Sequence, residues 1–154
     1  MNTILIAFIL LFPICYIIGS VNSSIILSRI YKLPDPRDYG SKNPGATNIL
    51  RSGNKILSLL ILLLDILKGF LPVLIAYYII EDKLYVQVAG VIAVLGHIYP
   101  IFYKFKGGKG VATAFGAILG FDIILGLICM ITWLITAFLF RYSALSAIVS
   151  FTFL

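Results

Sequence analysis

Long apolar stretches separated by short charged loops constrain this chain more than any other feature of its sequence. The clearest stretch runs from Ile56 to Ile80 and carries only Asp65 and Lys68 as charged residues. As an α-helix it would be about 37 Å long, enough to cross the roughly 30 Å hydrocarbon core of a bilayer with some tilt. Lipid offers no hydrogen-bond partners to the backbone, so crossing segments form helices or closed barrels. Because the stretches are rich in Leu and Ile and lack the period-two alternation of barrel strands, they predict helices.

The composition favours the same class of protein. Hydrophobic residues make up 61% of the 154 residues and charged residues 12%, whereas soluble domains carry about 25% charged residues. We therefore predict an all-α integral membrane protein, a polytopic helical bundle that forms a single membrane domain over residues 1–154. It has about 4–5 transmembrane segments, of which the last is incomplete.

The predicted elements follow the apolar runs. The first span covers Thr3 to Ile18 and continues toward Arg29, the second covers Ile56–Ile80, and the third covers Leu84 to about Ile101. The run from Val111 to Phe140 is too long for one crossing, which predicts a short helix, a break near Gly120 and then a full span. The run from Tyr142 to Leu154 is too short to cross. Cys15 and Cys129 lie inside apolar runs and are interpreted as small buried hydrophobic residues.

Positive charge is concentrated in two loops, at about residues 31–55 and 104–110. Between Arg29 and Lys55, six basic residues stand against two acidic ones, a net charge of +4, and the second loop holds three lysines. The turn Glu81–Lys83 between the two loops has a net charge of −1. Positive loops stay on the cytoplasmic side, so both loops are predicted to be cytoplasmic and the N-terminus outside. Loops this short argue against nucleic acid as a partner and favour anionic ligands or lipids.

The first loop contains a polar segment rich in turn-forming residues, Gly40–Arg51. Arg51 offers a planar fork suited to phosphate or carboxylate. The other candidate binding groups are neutral and come from residues that favour tight turns: Ser41, Asn43, Gly45, Thr47 and Asn48. An ordinary cytoplasmic loop with polar turns has the same features, so these residues alone leave both interpretations open.

The second loop places glycines among lysines just before an apolar helix. Free N–H groups at a glycine-rich helix start, together with the helix dipole, form an anion site. The candidate binding residues are Lys104, Lys106, Gly107, Gly108, Lys109, Gly110 and Thr113. The segment is not a nucleotide P-loop, because Gly110 rather than Ser or Thr follows Lys109. The alternative is a positively charged membrane anchor with a flexible turn.

A few polar residues fall inside the predicted spans. Asp65 and Lys68 are three residues apart on one helix face and can pair, as a structural ion pair or as part of a functional site. His97 is the single histidine, lies close in sequence to the second loop and is a candidate catalytic residue. One histidine without a cysteine cluster gives no metal site, and no cofactor is predicted.

The two loop motifs together resemble those of the bacterial acyl-phosphate-dependent glycerol-3-phosphate acyltransferases. The first motif corresponds to Gly40–Asn48, closing on Arg51, and the second to Gly96–Pro100 followed by Lys104–Thr113. Three shorter stretches also fit in order and spacing, so the resemblance covers the whole chain: Gly19-Ser20, Asp65–Gly69 and Arg141–Ser143.

The resemblance implies transfer of a fatty acyl group from acyl phosphate to the 1-hydroxyl of glycerol 3-phosphate, giving lysophosphatidic acid and phosphate for phospholipid synthesis. It implies that Ser41 and Arg51 are essential and that Gly107, Gly108 and Gly110 bind glycerol 3-phosphate. The proton of the hydroxyl passes to the substrate phosphate or to His97. The implied partners are the two substrates and membrane lipid, and an upstream enzyme that forms acyl phosphate is a further one. The implied location is the bacterial inner membrane, with a cytoplasmic active site.

The family continues into a third cytoplasmic motif carrying His, Asn and Glu, whereas this chain ends at Leu154 within an apolar run. We therefore expect a C-terminally truncated member of the family, and one alternative function is a truncated, inactive homologue. A small anion transporter subunit is a second alternative, and a non-catalytic membrane scaffold is a third. Transport requires polar residues along a path through the membrane, for which the sequence offers only Asp65, Lys68 and Asp122.

Overall fold

The computed structural model describes Leu5 and residues 7–152 of the chain. Its first span is bent rather than straight. A π-helical turn, Ala7–Leu11, leads into helix α1, Phe12–Ser20, and helix α2, Ser23–Ile30, follows at an angle of 44°. The break occurs because the Asn22 side chain accepts the N–H of Ile25 at 3.1 Å, which caps α2 as a new helix. The predicted start at Thr3 lies outside the described residues.

The next helices agree closely with the predicted second and third spans. A short helix α3, Ala46–Arg51, precedes α4, Lys55–Ile79, and α5 covers Lys83–Ile98 before a 3₁₀ turn at Ile101–Tyr103. The side chains of Asn54 and Asp82 cap α4 and α5 by accepting backbone N–H groups at 3.0 and 2.8 Å. These caps explain why each helix starts one residue earlier than the apolar run itself.

The long apolar run from Val111 divides into two helices as predicted, and the break lies at Asp122, two residues beyond Gly120. Helix α6 covers Val111–Phe121 and α7 covers Ile123–Phe140. Asp122 is extended and its carboxylate accepts the N–H of Leu125 at 2.9 Å, so it caps α7. Gly120 stays helical and serves packing instead, since a side chain there would press on Val73 of α4.

The final described helix is α8, Ser143–Phe151, within the predicted short run. Among the described residues, three helices are long and apolar enough to cross a membrane: α4, α5 with its 3₁₀ extension, and α7. The bent pair α1–α2 makes a fourth if it is counted as one span. Helix α6, with 11 residues, reaches only about 16 Å and cannot cross alone. The all-α membrane bundle predicted from the sequence is therefore confirmed.

Glycines allow the helices to pack closely. A side chain at Gly116 of α6 would overlap the Ile66 carbonyl of α4, and one at Gly69 of α4 would overlap the Thr113 carbonyl of α6. Small residues are the common solution in membranes, where van der Waals contact drives helix association. This close α4–α6 contact sets the positions of the residues that line the functional site.

The outward surface is apolar, as expected for contact with lipid. Helix α7 is the most exposed of the spanning helices, since only 17% of its 18 residues are buried. Its Ile124 and Phe138 side chains project outward. Cys15 and Cys129 are both buried and free, which confirms their interpretation as small hydrophobic residues.

Candidate active site

A cavity of about 610 Å³ brings the two polar loops together. Ser41 and Arg51 line it from the first loop and α3, while Lys109 and Gly110 line it from the second loop. The two segments are separated by more than fifty residues and two spans. Eight of the fourteen predicted site residues line this cavity: Ser41, Asn43, Gly45, Thr47, Arg51, His97, Lys109 and Gly110.

The other six predicted residues lie around the cavity without lining it. Lys104 and Lys106 are exposed on the far part of the second loop, and Lys104 has a left-handed backbone, with φ 55°. Gly107 and Gly108 fold back onto the end of α5 through N–H groups that donate to the carbonyls of Ile98 and His97, each at 3.1 Å. The last two are the buried Asn48 and Thr113.

Asn48 holds the first loop in shape. Its side chain is 1% exposed, its Oδ1 accepts the N–H of Ser41 at 2.9 Å, and its Nδ2 donates to the carbonyls of Pro36 and Tyr39 at 2.8 and 3.2 Å. These three bonds occupy Oδ1 and Nδ2 of Asn48, the atoms that the sequence suggested would bind substrate. Gly40 completes the turn with φ 58°, where a side chain would also overlap Asn48 Oδ1. Asn48 therefore positions Ser41 at the cavity.

We expect Asn48→Ala to lower the free energy of unfolding by about 2–4 kcal/mol, because it removes three hydrogen bonds and leaves the Ser41 N–H and the buried Pro36 carbonyl without partners. The matched control is Asn54→Ala, which removes a single helix-capping bond and should cost only about 1 kcal/mol. A dye that reacts with free thiols measures both, since it reports when unfolding exposes Cys15 and Cys129. Equal losses in the two variants would contradict the role assigned to Asn48.

The same loop is braced by an ion pair on its surface side. Arg37 binds Asp35 with two side-chain bonds at 2.7 and 2.9 Å. The hydrogen bond from Arg37 lowers the pKa of the Asp35 carboxyl below its usual value. Both side chains are partly exposed, so the pair adds little to stability.

The second loop ends in a helix N-terminus that lines the cavity. Gly110 has φ 79° and starts α6, and the first helical bond runs from the Ala114 N–H to the Gly110 carbonyl. The N–H groups of Val111, Ala112 and Thr113 therefore have no partner within the helix. With Lys109 beside them, they have the arrangement that the sequence suggested for an anion site at this position.

A buried cluster of three titratable side chains lies beside this site. Lys68 Nζ is 2.9 Å from Asp65 Oδ1 and donates to the Val21 carbonyl at 2.6 Å, which confirms the predicted pairing on one helix face. Asp65 Oδ1 is 3.9 Å from His97 Nδ1, and all three side chains are buried. Asp65 and His97 both line the cavity. The role of Asp65 is open from the sequence, because only the fold shows that it faces the histidine.

The rest of the cavity wall is apolar and comes from the chain's later helices. Helix α7 contributes Met130, Trp133 and Leu134, and α8 contributes Ala147 and Ile148. Phe115 of α6 packs edge to face against Trp133, with ring centroids 6.4 Å apart. The sequence gives no sign of a site role for these residues, because an apolar residue facing a cavity has the same pattern as one facing lipid. The cavity thus combines cationic groups with an apolar wall.

Among the described residues, no group of three or more His, Cys, Asp or Glu side chains is arranged to hold a metal ion. Besides Asp65, which is paired with Lys68, the charged residues that line the cavity are the cations Arg51 and Lys109, and the N-terminus of α6 adds backbone N–H groups. These cations and N–H groups suit a phosphate or a carboxylate.

Comparison with known proteins identifies the family. The family model described as "Glycerol-3-phosphate acyltransferase" matches residues 9–154. The chain belongs to the glycerol-3-phosphate acyltransferase family. Two curated family members illustrate the similarity. The glycerol-3-phosphate acyltransferase of Tolumonas auensis is 50% identical over 135 residues, covering 88% of this chain and 66% of the relative. That of Legionella pneumophila is 48% identical over 143 residues, covering 93% of this chain and 52% of the relative.

Solved structures of the family share the fold. The crystal structure of PlsY (YgiH), an integral membrane glycerol 3-phosphate acyltransferase, in its glycerol 3-phosphate form has a TM-score of 0.84 and 38% identity. The match covers 91% of this chain and 70% of that one. Its lysophosphatidic acid form has a TM-score of 0.81 and 37% identity over 91% of this chain and 69% of that one. The chain spans about half to two thirds of the length of the curated relatives it matches.

Proposed function

We propose that this chain carries a glycerol-3-phosphate acyltransferase site that moves a fatty acyl group from acyl phosphate to the 1-hydroxyl of glycerol 3-phosphate. The products are lysophosphatidic acid and inorganic phosphate. The observation that carries the proposal is the cavity in which Arg51, Lys109 and the α6 N-terminus face an apolar wall from α7 and α8. Both substrates carry a phosphate, and one also carries an acyl chain.

The chemistry requires little beyond positioning and charge stabilisation, because the acyl donor is already an activated anhydride. The hydroxyl oxygen forms the new ester bond while the bond between the acyl carbon and the phosphate oxygen breaks. Phosphate leaves with that electron pair. Arg51 stabilises the leaving phosphate through a bidentate contact, and Lys109 with the α6 N–H groups holds glycerol 3-phosphate.

The hydroxyl proton passes to His97 or to the departing phosphate. Ser41 lies across the same cavity and either orients the hydroxyl or polarises the acyl carbonyl. Asn43, Gly45 and Thr47 complete the binding wall on the first loop. The net positive charge of both loops supports a site on the cytoplasmic face of a bacterial inner membrane. An enzyme that forms acyl phosphate would then supply the donor from that side.

The test is an assay of the purified chain in detergent and in liposomes with acyl phosphate and labelled glycerol 3-phosphate. We expect equal amounts of lysophosphatidic acid and phosphate, with Ser41→Ala reducing both by at least about 100-fold. The Tolumonas auensis relative serves as the positive control, and acyl-coenzyme A replaces acyl phosphate in a parallel arm. The proposal fails if the control is active and this chain forms no product. Product from acyl-coenzyme A alone would overturn the identity of the donor.

A further inference from the structure

We propose that His97 is a positioning residue whose imidazole acts as a spacer between Asp65 and the glycine turn, Gly107–Gly110. The turn leads directly into α6, so this spacing sets where Lys109 and the α6 N-terminus face the cavity. The imidazole acts through its size and shape, and the role requires no proton transfer to or from the ring. The packing is independent of any reaction, whereas its effect on glycerol 3-phosphate rests on the function proposed above.

One edge of the imidazole lies against the turn. A side chain at Gly108 would overlap His97 Nε2 and would come within 3.0 Å of Cε1. Only glycine, which has no Cβ, lets the backbone lie this close to the ring. His97 is only 4% exposed, and buried side chains are packed too densely for the ring to move aside freely. The ring therefore limits how closely the turn can approach α5.

Backbone hydrogen bonds fix the same turn to the end of α5. The N–H groups of Gly107 and Gly108 donate to the carbonyls of Ile98 and His97, each at 3.1 Å. These carbonyls belong to the last turn of α5, where a helix leaves its acceptors without internal partners. The hydrogen bonds hold the turn to the helix end, and the imidazole sets its spacing. Together they give the turn one position.

The other ring nitrogen faces a carboxylate that the fold holds in place. The atoms His97 Nδ1 and Asp65 Oδ1 are 3.9 Å apart. Asp65 pairs with Lys68 at 2.9 Å, and the Lys68 ammonium donates to the Val21 carbonyl at 2.6 Å, at the break between α1 and α2. Separating a buried ion pair costs several kcal/mol, so this carboxylate is a fixed support. The imidazole thus fills the space between the ion pair on α4 and the turn.

The position of the turn decides the position of the candidate anion-binding groups. Lys109 lies within the turn and lines the cavity, and Gly110 immediately precedes α6. A shift of the turn therefore moves Lys109 and the first N–H groups of α6 relative to Arg51. In such sites a misplacement of about 1 Å can cost about 100-fold in rate. His97 thereby affects the binding of a phosphate group through the turn.

Thermal unfolding of the purified chain in detergent tests the contact itself. We expect Gly108→Ala to lower the midpoint by about 5 °C or more, because the added methyl overlaps the ring. His97→Asn keeps a polar group near Asp65 but removes the ring edge that carries Nε2. In that background Gly108→Ala should lower the midpoint by less than about 2 °C. Equal losses in the two backgrounds would overturn the proposal.

Gly116→Ala is the matched control for this comparison. Its methyl overlaps the Ile66 carbonyl and not the imidazole, so it should cost the same with His97 or with Asn at position 97. Relief of both glycine substitutions by His97→Asn would mean that this variant loosens the whole bundle, which also contradicts a specific spacer.

Binding of glycerol 3-phosphate, measured by calorimetry without an acyl donor, separates positioning from general stability. We expect His97→Asn to raise the Kd about tenfold. Adding Gly108→Ala should recover at least about threefold of this loss, because the methyl takes the place of the deleted ring edge. Glu81→Gln, which changes an exposed carboxylate outside the spans, should leave the Kd unchanged. An unchanged Kd in His97→Asn, or no recovery in the double variant, would show that the turn keeps its position without the imidazole. If the unmodified chain does not bind glycerol 3-phosphate, the proposed function fails, while the unfolding midpoints still decide whether His97 spaces the turn.

Discussion

Replacing Arg51 with alanine is expected to lower kcat/KM by at least about 1,000-fold. Arg51 ends α3 and lines the cavity opposite the N-terminus of α6. In the proposed reaction its guanidinium contacts the phosphate whose charge grows as the acyl bond breaks, and such contacts are strongest in the transition state. Arg51→Lys keeps the charge but loses the planar fork, so we expect an intermediate loss of about 30- to 100-fold. Steady-state assays with both substrates varied measure these effects.

Arg29→Ala is the matched control for this prediction. Arg29 is an exposed arginine in the last turn of α2, on the same positively charged loop, and it does not line the cavity. We expect its replacement to change kcat/KM less than about twofold, because exposed charges act weakly at a distance. Similar losses in both variants would mean that Arg51 acts through the general charge of the loop. Near-full activity of Arg51→Ala would remove Arg51 from the site altogether.

The second large effect concerns packing rather than chemistry. We expect Gly116→Ala to lower the free energy of unfolding by about 3 kcal/mol or more, because the added methyl overlaps the Ile66 carbonyl of α4. A backbone atom cannot rotate away, so α4 and α6 must separate. That movement also displaces Asp65 and Phe115, which line the cavity from these two helices. The proposed acyltransferase activity should therefore fall together with the stability.

Gly90→Ala in α5 is the comparison variant, for which we expect a smaller loss of stability. There the added methyl meets only side-chain atoms, with Val73 Cγ2 at 2.9 Å and Ala117 Cβ at 3.0 Å. Both overlaps are much smaller than the one at Gly116, and a displacement of a few tenths of an ångström between the helices relieves them, so we expect a loss of less than about 1 kcal/mol. Thermal unfolding followed by the thiol-reactive dye ranks the two variants, with a difference in midpoint of several degrees. Equal midpoints would show that α4 and α6 tolerate a wider separation.

Much of the helical architecture could be predicted, because lipid offers no hydrogen-bond partners to the backbone and the apolar runs must therefore form helices. The second and third spans were predicted to within a few residues of α4 and α5. The details that the apolar runs left open depend on local capping. Asn22 bends the first span at its side-chain bond to Ile25, and Asp122 sets the break between α6 and α7, two residues beyond Gly120. Capping side chains and packing glycines look alike in a sequence, because both interrupt an apolar run.

The candidate site was predicted only in part. Motif and charge predict two cytoplasmic loops that carry Ser41, Arg51 and Lys109. These residues meet at one cavity only because of the way in which α4 and α6 pack. Asn48 has the composition of a binding residue, yet its three bonds to the loop backbone make it a scaffold. The transport alternative relied on Asp65 and Lys68, and the structure shows these two charges paired with each other.

The sequence by itself determined that the chain spans a membrane as helices, that most of its basic residues lie in two glycine-bearing loops, and to which family it belongs. Hydropathy and motif order carry that information, because each depends on neighbours along the chain. Only the tertiary structure decided which polar groups face the cavity and which face each other. Asp65 meets His97 across 3.9 Å although thirty-two positions separate them in sequence. Helix periodicity gives the face on which a side chain lies, whereas its partner is set by the packing of another helix against that face.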